Sequence, residues 1–394
     1  MIFIRRLPCF SCKFSKNASE DALFFTAIFA IMVTVFFKEP KRMRKSRAIF
    51  AERKPRRTGW IGYLLLFFLI IAVAVALNFI NNGRIKVDQV SVTITSMPKD
   101  LEKFRILHIS DLHGNEYGPD QSTVRTMIST KKYSAVCITG DVCGPDGDYE
   151  AFLKLIDLFS VPVYFIPGDE DPEAILISAN PENEVKAEYI RAAEEHGAIY
   201  LDHPEKLNVG KSVIWFAPES MYGLDLESSY TAYRSRREGL LAAQPLTPDE
   251  EAQLRAIDYR LTVLDAISES LAEMQPEDVQ IALTHHPLTS ATIKTLQQWA
   301  GSDRSDFFRG VSLVLAGHYC GGQMRLPLLG AIRAPESLGG WFPKDSEIVG
   351  LSTVQGVTQY INPGLGASAI YPIRFRMFNT PTVTVLTLTS VLSF

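Results

Sequence analysis

An α/β fold with layered sheets, set behind one membrane-crossing helix, is what this sequence predicts. Three observations predict it. An uncharged apolar run occupies Trp60–Ile80, short apolar strands alternate with helical stretches after it, and acidic and histidine clusters recur where those strands end. The length fits this reading, because 312 of the 394 residues lie beyond position 82, enough for one large domain with a full core.

The net charge of −4 averages two unlike parts. Residues 1–82 carry 14 basic and 4 acidic side chains, whereas the remainder carries 26 and 40. The acidic bulk excludes a uniformly basic nucleic-acid coat. A hydrophobic fraction of 46% excludes wholesale disorder. Five scattered cysteines make no disulfide framework, and the lone Cys9-x-x-Cys12 lacks the second pair that a zinc ribbon needs.

The run WIGYLLLFFLIIAVAVALNFI is long enough to cross a hydrocarbon core of about 30 Å. Nine Lys and Arg side chains precede it within residues 41–57, and far fewer follow. Positive residues stay cytoplasmic, so the chain beyond Asn82 is expected outside the cytoplasm. No small-x-small cleavage site follows Ile80, which favours an uncleaved anchor over a signal peptide. A second apolar run at 23–37 is only fifteen residues long. It reads as a short second span, as an interfacial segment, or as part of an extension ahead of a start at Met43. The expected organisation is a basic segment over 1–59, an anchor over 60–82 and a domain over 83–394.

Strands are predicted at Val87–Ile94, Arg105–Ser110, Ala135–Thr139, Val161–Ile166, Ser212–Ala217, Val279–Thr284, Ser312–Ala316, Thr358–Ile361 and Thr382–Leu388. Helices are predicted around Gln121–Thr130, Tyr149–Phe159, Glu184–Glu195 and Ala291–Trp299. The early β-α-β rhythm makes a layered sheet, and the strand-rich later part makes a second sheet packed on the first. Residues 226–275 break the rhythm. They read as a helical insertion, with Thr247 as N-cap, Pro248 at the first helical position, and apolar residues at helical spacing from Leu254 to Leu271. The insertion is either a stabilising cover or a wall of the site or a partner surface.

Chemistry concentrates at strand ends, where open α/β sheets collect their sites. RILHISDLHGN brings Asp111 and His113, two apart and so on one side of an extended chain. AVCITGDVCG brings Asp141 after a glycine, and VYFIPGDEDPE brings Asp169, Glu170 and Asp171. VQIALTHHPLT ends on His285 and His286, of which only one can enter a given site; His285 is the choice. SLVLAGHYCGGQMRLP brings His318 and Cys320. His108, His196, His203 and Cys137 read as structural or surface residues. No GxxxxGK[ST] phosphate loop and no GxSxG elbow is present.

The ordered set resembles the calcineurin-like metallophosphoesterases, whose pattern is DxH, GD, GNH[DE], a lone His and GHxH. It is most similar to a membrane-anchored bacterial-type branch, through GGQMRLP and the later NPGLGAS and PIRFR segments. The resemblance runs from about residue 86 to the C-terminus, outside the insertion. It implies a four-layer α-β-β-α sandwich and two divalent metal ions, Mn, Fe or Zn. Asp111, His113 and Cys320 would bind the first ion and Asp169, His285 and His318 the second, with Asp141 bridging. It also implies hydrolysis of phosphate mono- or diesters by a metal-activated water. The implied partners are the bilayer and a phosphorylated small molecule, lipid or envelope component.

Three residues depart from the family pattern. Asp169 replaces Asn and adds a ligating negative charge. Glu170 replaces the catalytic His and could act as an acid only with a raised pKa. Cys320 replaces the last His and favours softer ions; if exposed, it would be open to oxidation. These departures admit a second outcome, a protein that binds metal or a phosphorylated ligand without turnover. A third is an interaction protein that uses the 226–275 helices.

Overall fold

The computed structural model of the chain describes residues 59–178, 180, 184–243, 245–299, 310–333, 341–369 and 375–390. Cys9, Cys12, the 23–37 run and the basic 41–57 block lie outside these. The chain divides into two units. One contains the helix as far as Val73 together with Leu326–Leu329, and the other contains Ala74–Arg325 and Gly330–Phe394.

Helix α1 spans Gly59–Asn82. Within Ile61–Asn82 an 18-residue stretch has a mean hydropathy of 2.8 and is 6% buried, so the helix is long and apolar enough to cross a membrane. Its last turns belong to the larger unit and are tied to it by amides. Asn78 and Asn82 each donate a side-chain N–H to the Arg376 carbonyl, and Phe378 N–H donates to Asn78 Oδ1.

The larger unit is built on two six-stranded sheets. The first contains β1 (Lys86–Ile94), β2 (Arg105–Ile109), β3 (Ala135–Thr139), β4 (Val163–Ile166), β5 (Ala198–Tyr200) and β14 (Thr382–Ser390), in the order β1-β14-β2-β3-β4-β5. The second contains β6 (Glu205–Val209), β7 (Ser212–Pro218), β8 (Val279–Leu283), β9 (Val311–Ala316), β12 (Gly350–Val354) and β13 (Val357–Ile361), in the order β12-β13-β9-β8-β7-β6. Two-residue strands β10 (Arg325–Leu326) and β11 (Gly330–Ala331) lie between β9 and β12 in sequence.

The central strands β2, β3 and β4 run parallel, as do β7, β8 and β9. Both sets therefore deliver their carboxyl ends to one edge of their sheet. The two sheets face each other across a core that joins Ile106, Cys137 and Tyr164 of the first to Phe216, Ile281 and Leu315 of the second. Tyr164 stacks on Phe216 with ring centroids 4.3 Å apart.

Helices α2 (Ser122–Ile128), α3 (Glu150–Ile156) and α4 (Glu188–Glu195) cover the outer face of the first sheet. Helix α7 (Ser290–Trp299) covers part of the second through Ile293, and α8 (Asp345–Ile348) is a single turn near β12. This is the mixed α/β, two-sheet arrangement that the sequence predicts. Helix α4 starts later than expected, because Val185 and Ala187 form backbone hydrogen bonds with Leu176 and Ala174 instead of entering the helix.

The 226–275 segment forms α5 (Leu226–Ala242) and α6 (Pro248–Glu273). Thr247 and Glu250 close a reciprocal capping box at the start of α6. Val263 and Ile267 of α6 pack on Ala217 and Met221 at the end of β7. The buried stripe runs through Ala252, Ala256, Ile257, Val263, Leu264, Ile267 and Ser270, so Ile257, Leu264 and Ile267 face inwards as expected whereas Leu271 is exposed. Small residues at the start of the stripe let the helix lie close to its support, so the seam follows them and not every leucine. Helix α5 buries no residue and is held by polar contacts such as Tyr230–Asp265 and Arg237–Asp258.

A histidine outside the strand-end clusters secures α6. His203 lies 2.5 Å from Asp202 Oδ1 and 3.2 Å from Glu205 Oε1, and Asp202 accepts the Tyr259 hydroxyl of α6. The Asp202 hydrogen bond, followed by Glu205, pushes the His203 pKa up to about 9. Its stabilisation is thus complete below about pH 6.5 and lost as pH rises through about 9. The stability difference between wild type and His203→Gln should be about 1 kcal/mol, after allowance for solvent screening. It should shrink towards zero in alkaline urea titrations. Phe216→Ala, at a fully buried stacking position, should cost about 3–5 kcal/mol in the same measurement.

Candidate metal centre

The strand-end residues converge. Asp111 and His113 follow β2, Asp141 follows β3, Asp169 follows β4, His285 follows β8, and His318 and Cys320 follow β9. Ligand atoms of Asp111, His113 and Cys320 lie within 4.8 Å of one another, and so do those of Asp141, Asp169, His285 and His318. His113, Asp141 and Glu170 form a third such group.

Backbone geometry accomplishes this differently from the pleat argument. Strand β2 ends at Ile109, and Asp111 and His113 both have positive φ, 52° and 49°. Asp141, His318 and Cys320 also sit in the left-handed region. These are tight turns that aim side chains inwards, a strain that recurs at functional sites. The turns remain paired across the sheet, since Asp111 N–H donates to Gly140 O at 3.0 Å and His113 N–H to Asp141 O at 2.8 Å. Gly140 has φ 80°, and a Cβ there would overlap the Gly168 backbone. A Cβ on Gly168 would overlap the Asp141 side chain and amide. The two glycines let the β3 and β4 turns touch.

Asp141 lies between the groups. Its Oδ2 is 3.2 Å from His285 Nε2 and 3.7 Å from His113 Nε2, and its Oδ1 accepts the Glu170 amide at 2.9 Å. Burial alone would raise its pKa. The His285 hydrogen bond and charge, with His113 and the Glu170 amide, outweigh burial and hold it low. Asp111 is buried more deeply, and burial dominates there, raising its pKa. Asp111 Oδ1 also accepts the His318 amide at 2.9 Å, which ties the two sheets together. Asp169 Oδ1 faces His285 Nε2 at 2.7 Å and His318 Nδ1 at 3.2 Å, and hydrogen bonds from these two imidazoles hold its pKa well down.

His285 has a defined orientation. Its Nδ1 is 2.8 Å from the Thr139 carbonyl, which can only accept, so Nδ1 carries a proton and Nε2 faces the carboxylates. His286 is exposed, with its nitrogen 3.9 Å from Asp169, so His285 is the inward member of the pair. Asp171 braces the floor of the site by accepting the Cys143 amide at 2.7 Å and the Gly168 amide at 2.8 Å. Cys320 is fully buried with Sγ 3.5 Å from His113 Nε2, so the condition for its oxidation, exposure, is not met. Burial, reinforced by the Asp111 charge, pushes its thiol pKa well up.

The donors fit divalent metal. His285 Nε2 and His318 Nδ1 are 3.3 Å apart, both against Asp169 Oδ1. Lone pairs that close require positive charge between them, from a proton or a cation. Carboxylate, imidazole and thiol in one buried cluster suit borderline dications.

Residues 104–321, more than half of the chain, match the family model of the calcineurin-like phosphoesterases. The chain belongs to that family. As a calcineurin-like phosphoesterase it is a metal-dependent phosphoester hydrolase. Among solved structures, the phosphopantetheinyl hydrolase of Mycobacterium tuberculosis matches at 16% identity and a TM-score of 0.33, over 67% of this chain and 91% of that one. No curated protein sequence matches.

The sequence reading assigned no role to the segments 362–369 and 375–379 of this phosphoesterase. Asn362 donates to His108 O, and Gly364 N–H donates back to Asn362 Oδ1. Leu365 and Gly366 donate to the Ser110 and Asp111 carbonyls. Arg376 is buried and donates to Asn379 O, Gly366 O and Pro363 O. Asn362 and Gly364 lie in NPGLGAS and Arg376 ends PIRFR, so the sequence marked both segments, though only as landmarks of the branch. His108, inside β2 and near Thr139 Oγ1 at 3.0 Å, has its pKa pushed down to about 3 by burial, as suits a structural residue.

Gly168→Ala should displace the Asp141 carboxylate and weaken metal uptake about 10–100-fold by elemental analysis, with the circular dichroism spectrum retained. Gly239→Ala, where a Cβ meets open space, should leave both unchanged.

Proposed function

We propose that this phosphoesterase is anchored in a membrane by α1 and holds two divalent cations. In this reading Asp111, His113 and Cys320 hold one cation, Asp169, His285 and His318 hold the other, and Asp141 lies between them. The observation that carries it is the placement of a single oxygen, Asp141 Oδ2, within 3.7 Å of an imidazole from each group. Cations bound there supply Lewis-acid activation of a phosphate ester and of the water that attacks it. The protein supplies the frame for that chemistry. Thr139 O fixes the His285 ring, Asp171 holds the turn that carries Asp169, and the Asp141 charge offsets repulsion between two cations.

The substrate class is a phosphate mono- or diester met at the membrane surface, whether lipid, envelope polymer or small molecule. Two features support this. Helix α1 is uncharged over the 22 residues Ile61–Asn82, and its Asn78 and Asn82 amides bind the Arg376 carbonyl. Arg376 in turn clasps the loop that lies against Asp111, so anchor and centre share one segment. The basic residues ahead of α1 orient the domain outside the cytoplasm.

The full chain in detergent, loaded with Mn, Fe or Zn, should bind two ions and hydrolyse aryl phosphate mono- or diesters. Asp141→Asn should lower kcat/KM on the order of a thousandfold. Stoichiometric metal binding without turnover would instead support the non-catalytic reading, to which Glu170 and Cys320 point. Protease added to intact spheroplasts should remove the domain, and full protection would reverse the orientation.

A further inference from the structure

Glu170 occupies the position at which the family pattern has its histidine. Its surroundings are those of a fixed acceptor. Oε1 accepts the Ser368 hydroxyl, and both oxygens lie within 3.1 Å of the Ala369 amide. Its own amide donates to Asp141 Oδ1. Both carboxylate oxygens are thus engaged by the 362–369 loop, which itself hangs from the Ser110 and Asp111 carbonyls.

On the other side of this carboxylate stands His113. The His113 ring is 1% exposed, and its Nε2 faces Cys320 Sγ at 3.5 Å and Asp141 Oδ2 at 3.7 Å. Its Nδ1 is buried and closes no hydrogen bond among the described residues. The group it faces is Glu170 Oε2, at 3.5 Å. An imidazole can present one bare nitrogen to a cation only if the proton sits on the other, and a carboxylate beside that other nitrogen secures this. His285 has the equivalent arrangement, with the Thr139 carbonyl as acceptor.

We propose that Glu170 is a positioning residue, whose carboxylate holds the proton of His113 on Nδ1 and so presents Nε2 toward Asp141 and Cys320. The proposal rests on the metal reading above for its consequence, though not for its geometry. Glu170 works from the protein side, where Ser368 and Ala369 lock it, and it need not touch substrate. The 362–369 loop thereby acts on the centre through one side chain. This also explains how a carboxylate can stand in that position: its charge is spent on the imidazole and on two loop donors.

The test is cobalt titration of the full chain in detergent, followed through the thiolate-to-cobalt charge-transfer band that reports the Cys320 group. Glu170→Ala should weaken that occupancy about 10–100-fold. Glu170→Gln, which keeps an acceptor oxygen, should stay within a few-fold of wild type. A Glu170→Ala titration identical to wild type would overturn the proposal. So would a Glu170→Gln loss as large as that of Glu170→Ala, which would make Glu170 a ligand or a purely electrostatic group. Nitrogen-15 imidazole spectra of the metal-free chain separate this proposal from the metal reading. His113 should be the Nδ1–H tautomer in wild type and Glu170→Gln, and should lose that preference in Glu170→Ala. An Nε2–H tautomer in wild type would refute the proposal whatever the cobalt result. An Nδ1–H tautomer with no charge-transfer band would uphold it and count against Cys320 as a ligand instead.

Discussion

A carboxylate buried to 1% exposure between two groups of imidazoles is the constraint from which this structure follows. Stranding Asp141 in the interior would be costly without partners, since an unpaired buried charge is penalised by several kcal/mol. Its partners come from three separate strand ends: His113 after β2, the Glu170 amide after β4 and His285 after β8. The last belongs to the second sheet, so the sheets must meet in one register for the charge to be satisfied. The Asp111–His318 hydrogen bond repeats the requirement one turn away. The inter-sheet core of Tyr164, Phe216 and Leu315 provides the apolar driving force, and the polar edge selects the alignment.

Central strands were legible because their residues are apolar on both faces. Ala135–Thr139 is buried at every position and reads as one continuous run. Edge strands were not, apart from β1, whose Val90, Val92 and Ile94 alternate with polar residues. Strand β6, EKLNV, is polar at alternate positions, and β12, GLSTV, opens on glycine, so both resemble loops until a neighbour supplies the ladder. Strand β5 has only three residues, too few for any period to show. The start of α4 was misplaced for a related reason. Residues 184–187 have helical composition, but Leu176 and Ala174 capture their backbone in an extended pairing that only tertiary structure reveals.

The site was legible as an ordered series of residue types, and its members do gather. The geometry that gathers them was not legible. Alternation along an extended strand would aim Asp111 and His113 the same way, yet both lie beyond the strand in left-handed turns. Nothing in DLHGN distinguishes those two cases, because the turn is imposed by ladder bonds to Gly140 and Asp141 from the adjacent strand end. The segments 362–369 and 375–379 were harder still. Ser368 and Arg376 end the NPGLGAS and PIRFR landmarks, but a landmark carries no contact, and their partners appear only where the chain returns after β13 to Glu170 and Asp111.

That return links two of the three departures from the family pattern. Cys320 carries the smaller side chain where a histidine would stand, and its carbonyl is bound by Asn379 at 2.7 Å, just beyond Arg376. Glu170 carries the acceptor that the same loop grips through Ser368 and Ala369. His113 lies between them, with one ring nitrogen toward each. A histidine at 170 would offer the loop and His113 a ring that cannot accept from three donors at once, whereas an ionised carboxylate has oxygens enough. The carboxylate at 170 therefore matches the donors that the loop and His113 present. Arg376 attaches that loop to the end of α1 through Asn78 and Asn82, so the segment that secures the apolar helix also holds Glu170 against His113.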